Sequence, residues 1–179
     1  MPASGKNPWG WHRLVPSAAQ RLVAEAGVGP GELVLDIGAG TGAVTAALVA
    51  AGARVIAVEL HPQRAATLCA RFADDDVTVV RTDAADLRLP RRPFRVVANP
   101  PFAVTSAVLA RLLARGSRLE RADLVLQQAA ARRWATGRAP GVGRWGRDYA
   151  VGLGRRVPRR AFSPPPPVDC RTLVVTRRA

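Results

Sequence analysis

A chain of 179 residues with 48% hydrophobic content suffices for one domain with a sizeable core and leaves too little for two of ordinary size. It contains no run of about eighteen apolar residues to span a membrane, and its opening MPASGKNPWGWHR lacks the apolar stretch of a signal peptide, so a cytoplasmic location is expected. The net charge of +14 is uneven: residues 1–110 carry 11 basic and 9 acidic side chains, whereas residues 111–179 carry 16 and 4, a bias that points to a polyanionic partner, nucleic acid first.

In chain order, SAAQRLVAEAG at 17–27 reads as a helix with Ser17 as N-cap and Gly27 as its end. LVLDI at 33–37 is short, apolar and branched, as a buried strand is. The same rhythm then repeats, with a helix over 42–51, a strand over 54–60, a helix over 62–72, a strand over 77–81 and a strand over 94–98. Strands that are apolar throughout, alternating with helices, indicate an α/β fold with a parallel sheet covered on both faces. A helix over 104–115 and a strand over 122–127 continue the series. Beyond Gln128 the segment AAARRWATGRAPGVGRWGRDY predicts an exposed basic loop, AFSPPPPVDC a proline-rich connection with polyproline character, and RTLVVTR a last strand. Cys69 and Cys170 stand alone without a CxxC spacing or paired histidines, so no metal site or disulfide framework is expected and both read as small packing residues.

DIGAGTGA follows the first predicted buried strand and opens a helix. Its glycines permit a tight turn and a close approach of backbone to ligand, and the helix N-terminus offers unpaired N–H groups. The spacing also fits a dinucleotide fingerprint, with Glu59 about twenty residues on, so a nicotinamide dinucleotide and S-adenosylmethionine both remain open on the motif alone. Three features favour the methyl donor. Asp36 stands where a carboxylate repels a pyrophosphate and suits an ammonium and a sulfonium, Asp83 stands where it can accept from an adenine amino group, and the chain has hardly any room for a dehydrogenase's substrate domain. Asp36, Glu59 and Asp83 all fall at the carboxyl ends of successive predicted parallel strands, where open α/β sheets bind ligands. Each acid also has an ordinary reading, and Glu59 in particular stands where it can cap the following helix.

VVANPPF at 96–102 reaches the same edge from the next strand, which must stop at Asn99 because proline cannot donate to a ladder. Together with the carbonyl of Pro100, the Asn99 carboxamide can accept from an exocyclic amine and direct the nitrogen lone pair at a methyl group, which suits in-line transfer without a strong base. Phe102 can stack on a base that has left its helix.

Taken together, DIGAGTGAVT, VIAVELHP, RTDAADLRLP and VVANPPF resemble the ribosomal RNA adenine N6-methyltransferases, and the run through LGRRVPRRAFSPPPPVDC is similar to their actinobacterial erythromycin-resistance (Erm) branch. The resemblance implies a class I, Rossmann-like methyltransferase domain over 1–179, with a seven-stranded, mostly parallel sheet and helices on both faces. It implies S-adenosylmethionine as cofactor, with Gly38, Gly40 and the rest of the loop on its methionine part, Glu59 at the ribose, Asp83 at the adenine, and Leu60 and Ala84 also at the cofactor. Asn99, Pro100 and Phe102 would hold the target base, and Asn99 would also border the donor together with Asp36. The implied substrate is an adenine in 23S rRNA, its methylation conferring resistance to macrolides, lincosamides and streptogramin B. The related small-subunit adenine dimethyltransferase and a non-catalytic RNA-binding derivative are the alternatives.

Two departures bear on these expectations. The family's Gln-Asn-Phe-Leu segment, which closes over the donor, is here Trp11-His12-Arg13-Leu14, so that His12 and Leu14 take the matching positions and residues 1–16 form the segment over the cofactor. The small helical domain that Erm proteins carry after the methyltransferase fold has no counterpart before Ala179, so RNA contacts are expected from the basic region 129–160, at Arg132, Arg133, Arg138, Arg144 and Arg147. A monomer is expected.

Overall fold

The computed structural model describes residues 12–179, and the alternation of strand and helix assembles there into one large sheet. In order, the elements are β1 (Arg13–Leu14), α1 (Pro16–Ala26), β2 (Leu33–Ile37), α2 (Ala43–Ala50), β3 (Arg54–Val58), α3 (Pro62–Arg71), β4 (Val77–Val80), β5 (Phe94–Ala98), α4 (Thr105–Leu112), β6 (Leu119–Gln127), α5 (Gln128–Ala135), α6 (Val142–Trp145), β7 (Tyr149–Val157), β8 (Phe162–Ser163) and β9 (Cys170–Arg177). Seven strands form the sheet in the order β4-β3-β2-β5-β6-β9-β7, and β1 pairs with β8 in a separate two-stranded ribbon. The first five in that order are parallel, while β9 runs antiparallel to both its neighbours.

Helices cover both faces, which is why the central strands are apolar at successive positions. All five residues of β5 are buried. On one face Val34, Val55, Val97 and Val125 meet α1 and α2, and on the other Leu35, Val96 and Leu124 meet α4 and the Trp134 side of α5. Arg95 is the buried cation of β5, and its guanidinium donates to the carbonyls of Ala26 and Gly27 and to Glu32 Oε2, so the last carbonyls of α1 are satisfied from the sheet.

Three local expectations need correction. Ser17 is not the N-cap of α1, because the helix begins one residue earlier at Pro16, whose missing N–H costs nothing at that position, and Val15 precedes it without a side-chain cap. Cys170 is buried as expected, but Cys69 lies on the outer side of α3 and is exposed. The stretch after Gln128 is not one loop. It forms α5 and α6, held together by stacking of Trp134 on Trp145 at 5.7 Å, and then the nine-residue edge strand β7, whose apolar residues Tyr149 and Val151 pack on the α4–α5 side. The proline-rich connection likewise contains β8, which clamps β1, and the clamp extends through a bond from the Val15 N–H to the Ala161 carbonyl at 2.9 Å.

Candidate active site

The chain leaves β2 for β3 and β4 on one side and returns to β5 and β6 on the other, so the sheet reverses direction between β2 and β5. In an open α/β sheet, that reversal opens a crevice at the carboxyl ends of the two strands. The DIGAGTGA loop follows β2 and the NPPF loop follows β5, which brings the two motifs side by side. Their contact is direct. Gly38 has φ +77°, and a Cβ placed there would lie 2.6 Å from Cδ of Pro101, so the proline pair nests where the glycine has no side chain.

Three hydrogen bonds tie the glycine loop to the end of β3, and a fourth ties Glu59 to the start of α3. The Gly38 and Ala39 N–H groups donate to the Val58 carbonyl at 2.8 and 3.0 Å. Glu59, only 6% exposed, accepts from the Gly40 N–H at Oε2 and from the His61 N–H at Oε1, each at 2.8 Å. The carboxylate thus caps the start of α3 and braces the loop at once, and each oxygen keeps a second lone pair for a hydroxyl donor. Leu60, next in the chain, is 45% exposed at the strand end, an apolar surface on which a planar ring can lie. After β4, Asp83 accepts from the Ala85 N–H at Oδ1, 2.9 Å away, and caps the short 3-10 turn that begins at Ala84.

Asp36 is placed differently from the sequence expectation of direct contact with a cationic ligand. It is 1% exposed because β2 is buried on both faces, and its Oδ2 accepts the Thr45 hydroxyl at 2.7 Å, tying the strand to α2 beneath the glycine loop. Burial pushes its carboxyl up to about 7, against the lowering effect of hydrogen bonds from the Thr45 side chain and backbone, and the charge of Glu59 adds to the rise.

Asn99 is held by the ribbon end of the chain. Its Nδ2 donates to the His12 carbonyl at 2.6 Å, which fixes the amide orientation, since a carbonyl there requires a donor. Its Oδ1 is buried with no hydrogen-bond partner among the described residues. Such an acceptor is expensive to leave unmet unless a ligand meets it. His12 takes part through its backbone, and its ring stacks on Phe102 with centroids 5.8 Å apart while Nδ1 contacts the Pro164 carbonyl at 3.0 Å. Leu14 is buried in the α1–α2 core, where it anchors this segment. Of the expected segment 1–16 over the cofactor, residues 1–11 lie outside the described residues.

The predicted RNA-facing arginines separate. Arg132 and Arg133 are exposed on α5, which starts at the carboxyl edge that carries Asn99. Arg144 and Arg147 lead to Tyr149, which pairs with Arg177 at the far edge of the sheet, beside the amino end of β6, and Arg138 lies between the two groups. The basic residues that reach the Asn99 edge are Arg155, Arg156, Arg159 and Arg160, because β7 runs to that edge and ends at Val157 opposite Cys170. The alternating YAVGLGRRV pattern was the available signal for that strand.

The family model for "Ribosomal RNA adenine dimethylase" matches residues 15–179, and the glycine loop, Glu59, Asp83 and the NPPF loop lie inside that match. This chain belongs to that family. Membership carries the fold and cofactor class of the S-adenosylmethionine-dependent methyltransferases. The mycinamicin-resistance protein MyrB of Micromonospora griseorubida is 41% identical over 157 residues, covering 82% of this chain and 47% of its own length. The "Ribosomal RNA small subunit methyltransferase A" of Leifsonia xyli is 38% identical over 167 residues, covering 86% and 59% respectively. The solved structure of the 23S rRNA methyltransferase ErmE superposes with a TM-score of 0.79 at 29% identity, covering 94% of this chain and 70% of that one. The chain spans about half the length of the curated relatives it matches.

Proposed function

We propose that this protein transfers a methyl group from S-adenosylmethionine to N6 of a specific adenine in 23S rRNA, with macrolide, lincosamide and streptogramin B resistance as the consequence. The observation that carries this reading is Asn99 Oδ1, buried at the strand end beside the glycine loop and without a hydrogen-bond partner among the described residues. The residues present fit the donor: Glu59 keeps lone pairs for two ribose hydroxyls, the free oxygen of Asp83 suits an adenine amine, and Leu60 offers an apolar surface for its ring.

When bound, S-adenosylmethionine supplies an electrophilic methyl carbon on a sulfonium centre. Asn99 Oδ1 and the Pro100 carbonyl accept the two N6 protons of the target adenine and turn its lone pair toward that carbon. Transfer would leave the donor as a neutral thioether and would release one N6 proton to solvent, because Asn99 and Pro100 offer hydrogen-bond acceptors and no base. The His12 carbonyl keeps the Asn99 amide in register throughout. Phe102 offers its ring to the extruded base, and the His12 ring that stacks on it marks the same surface.

The 23S target is supported by the likeness to ErmE and the resistance by the likeness to MyrB, and the likeness to a small-subunit methyltransferase supports 16S rRNA as the second reading. Purified protein incubated with labelled donor and protein-free 23S or 16S rRNA, followed by primer-extension mapping, separates them. Label in 23S alone is the expected result, label in 16S alone moves the assignment to the second reading, and no label in either refutes both. Asn99→Ala should lower transfer by at least about 100-fold, in the range seen when a preorganised hydrogen-bonding group is removed, with donor binding retained. Loss of both together would make Asn99 a structural residue.

A further inference from the structure

Beside the Asn99 site a cavity of about 330 Å³ opens between α1, the end of β7 and the adjoining face of β6 and β9. Arg21, Glu25, Arg155, Arg156, Arg160 and Thr172 are among its lining residues. Glu25 is already bound to Arg155 at 2.6 Å, and Asp169 holds Arg156 at 3.4 Å. Arg21 and Arg160 make no ion pair or hydrogen bond with another described residue. Thr172 is only 4% exposed and its Oγ1 has no hydrogen-bond partner among the described residues. A buried hydroxyl without a partner is rare in a folded protein, and here it stands in the wall of a cavity with two free guanidinium groups. Three side-chain donors around one space describe a site for a tetrahedral oxyanion.

Its place in the sheet says which oxyanion. Ala98 pairs with Leu124 and Val125 pairs with Thr172, so Asn99, Val125 and Thr172 fall on one cross-strand row. Val97 and Val125 both pack on the α1–α2 side, which is the side of the cavity. Thr172 is therefore two interstrand steps, roughly 10 Å, from Asn99. Leu14 and Val15 line the same cavity, two and three residues after the carbonyl that holds Asn99.

We infer that this cavity is a phosphodiester site, in which Arg21, Arg160 and the Thr172 hydroxyl grip the RNA backbone beside the target adenine. The inference rests on the proposed reading of Asn99 as the group that receives an RNA base. Backbone contacts of this kind fix register without reading sequence, and they deliver the base to the crevice while Arg155 neutralises Glu25.

The test measures binding of a single-stranded RNA oligonucleotide across a salt series for the full chain, its Arg21→Gln/Arg160→Gln double variant, and Thr172→Val. In the double variant the slope of log affinity against log salt should fall by about 0.7 for each phosphate that the arginines no longer neutralise. Thr172→Val should weaken binding about five-fold with the slope unchanged, and Thr172→Ser should restore it. Both arginines are at the surface, so the double variant keeps its fold, and an unchanged melting temperature checks this. Wild-type slope and affinity in the double variant overturn the inference. So does thermal stabilisation by inorganic phosphate that needs Arg21 and Arg160 while RNA affinity is unchanged, since that makes the cavity a site for free phosphate. Methyl transfer to rRNA assayed on the same proteins keeps the two proposals apart. Transfer without a slope difference removes the cavity alone, and a slope difference without transfer removes the proposed activity alone.

Discussion

Replacing Asp36 by asparagine removes a buried charge whose energetic effect can be worked out from its surroundings. The carboxyl is pushed up to about 7 by burial, net of the Thr45 hydrogen bonds, against an ordinary value of 3.8 in the unfolded chain. Between those two values the folded state holds a proton that the unfolded state has lost, so this group's contribution makes stability fall as pH rises from 3.8 to 7 and level off above. The full span corresponds to about 4 kcal/mol, of which about 3 kcal/mol falls between pH 5 and pH 9. Asparagine does not titrate. Its amide nitrogen adds a constant penalty of about 1–3 kcal/mol as a buried donor without an acceptor. The asparagine variant should therefore gain about 3 kcal/mol on the parent protein between pH 5 and pH 9 and be the more stable of the two at pH 9. Urea unfolding of both proteins at unit pH steps over that range gives the difference directly, and titration of all other groups cancels from it. A difference that stays constant within about 0.5 kcal/mol, the usual additivity error, would refute the claim that the fold holds this carboxylate against its solvation.

Gly38→Ala should cost at least about 1 kcal/mol from its left-handed backbone alone. It also pushes Pro101 away, so donor affinity by calorimetry and methyl transfer should both fall; loss of neither would separate the two loops. Phe102→Ala should raise KM for RNA roughly ten-fold while leaving donor affinity intact, in line with the usual worth of a base stacked on an aromatic ring. Arg177 donates to the Leu119 and Ser117 carbonyls and to the Tyr149 hydroxyl, and lies over the Tyr149 ring at 4.9 Å. Its replacement by Ala should lower unfolding stability by about 2 kcal/mol, without altering donor affinity.

Most of the sheet was legible in the sequence, because strands buried on both faces must be apolar at successive positions and the helices between them announce themselves by period and by proline at the first turn. LVLDI, FRVVA and the NPPF stop after β5 are of this kind, and so is the approach of Asp36, Glu59, Asp83 and Asn99 to one edge, since parallel strands all end on the same side. β7 was not legible. An edge strand has one solvated face, and its GLGRR segment reads locally as a basic loop; pairing with β9 makes it a strand. Nor does a local pattern announce a two-residue strand such as β1, which exists because β8, some 150 residues away, supplies its hydrogen bonds.

The sequence by itself determined the class of fold and which side chains stand at the ligand edge, because burial and turn chemistry act over a few neighbours. Tertiary structure alone decided what each of those side chains faces. It turned Asp36 inward to Thr45, gave the Asn99 amide the His12 carbonyl, left its oxygen without a partner among the described residues, and brought the arginines at the end of β7 to the edge that carries Asn99. Those outcomes depend on strand order and on contacts between residues far apart in the chain, and no local pattern encodes them.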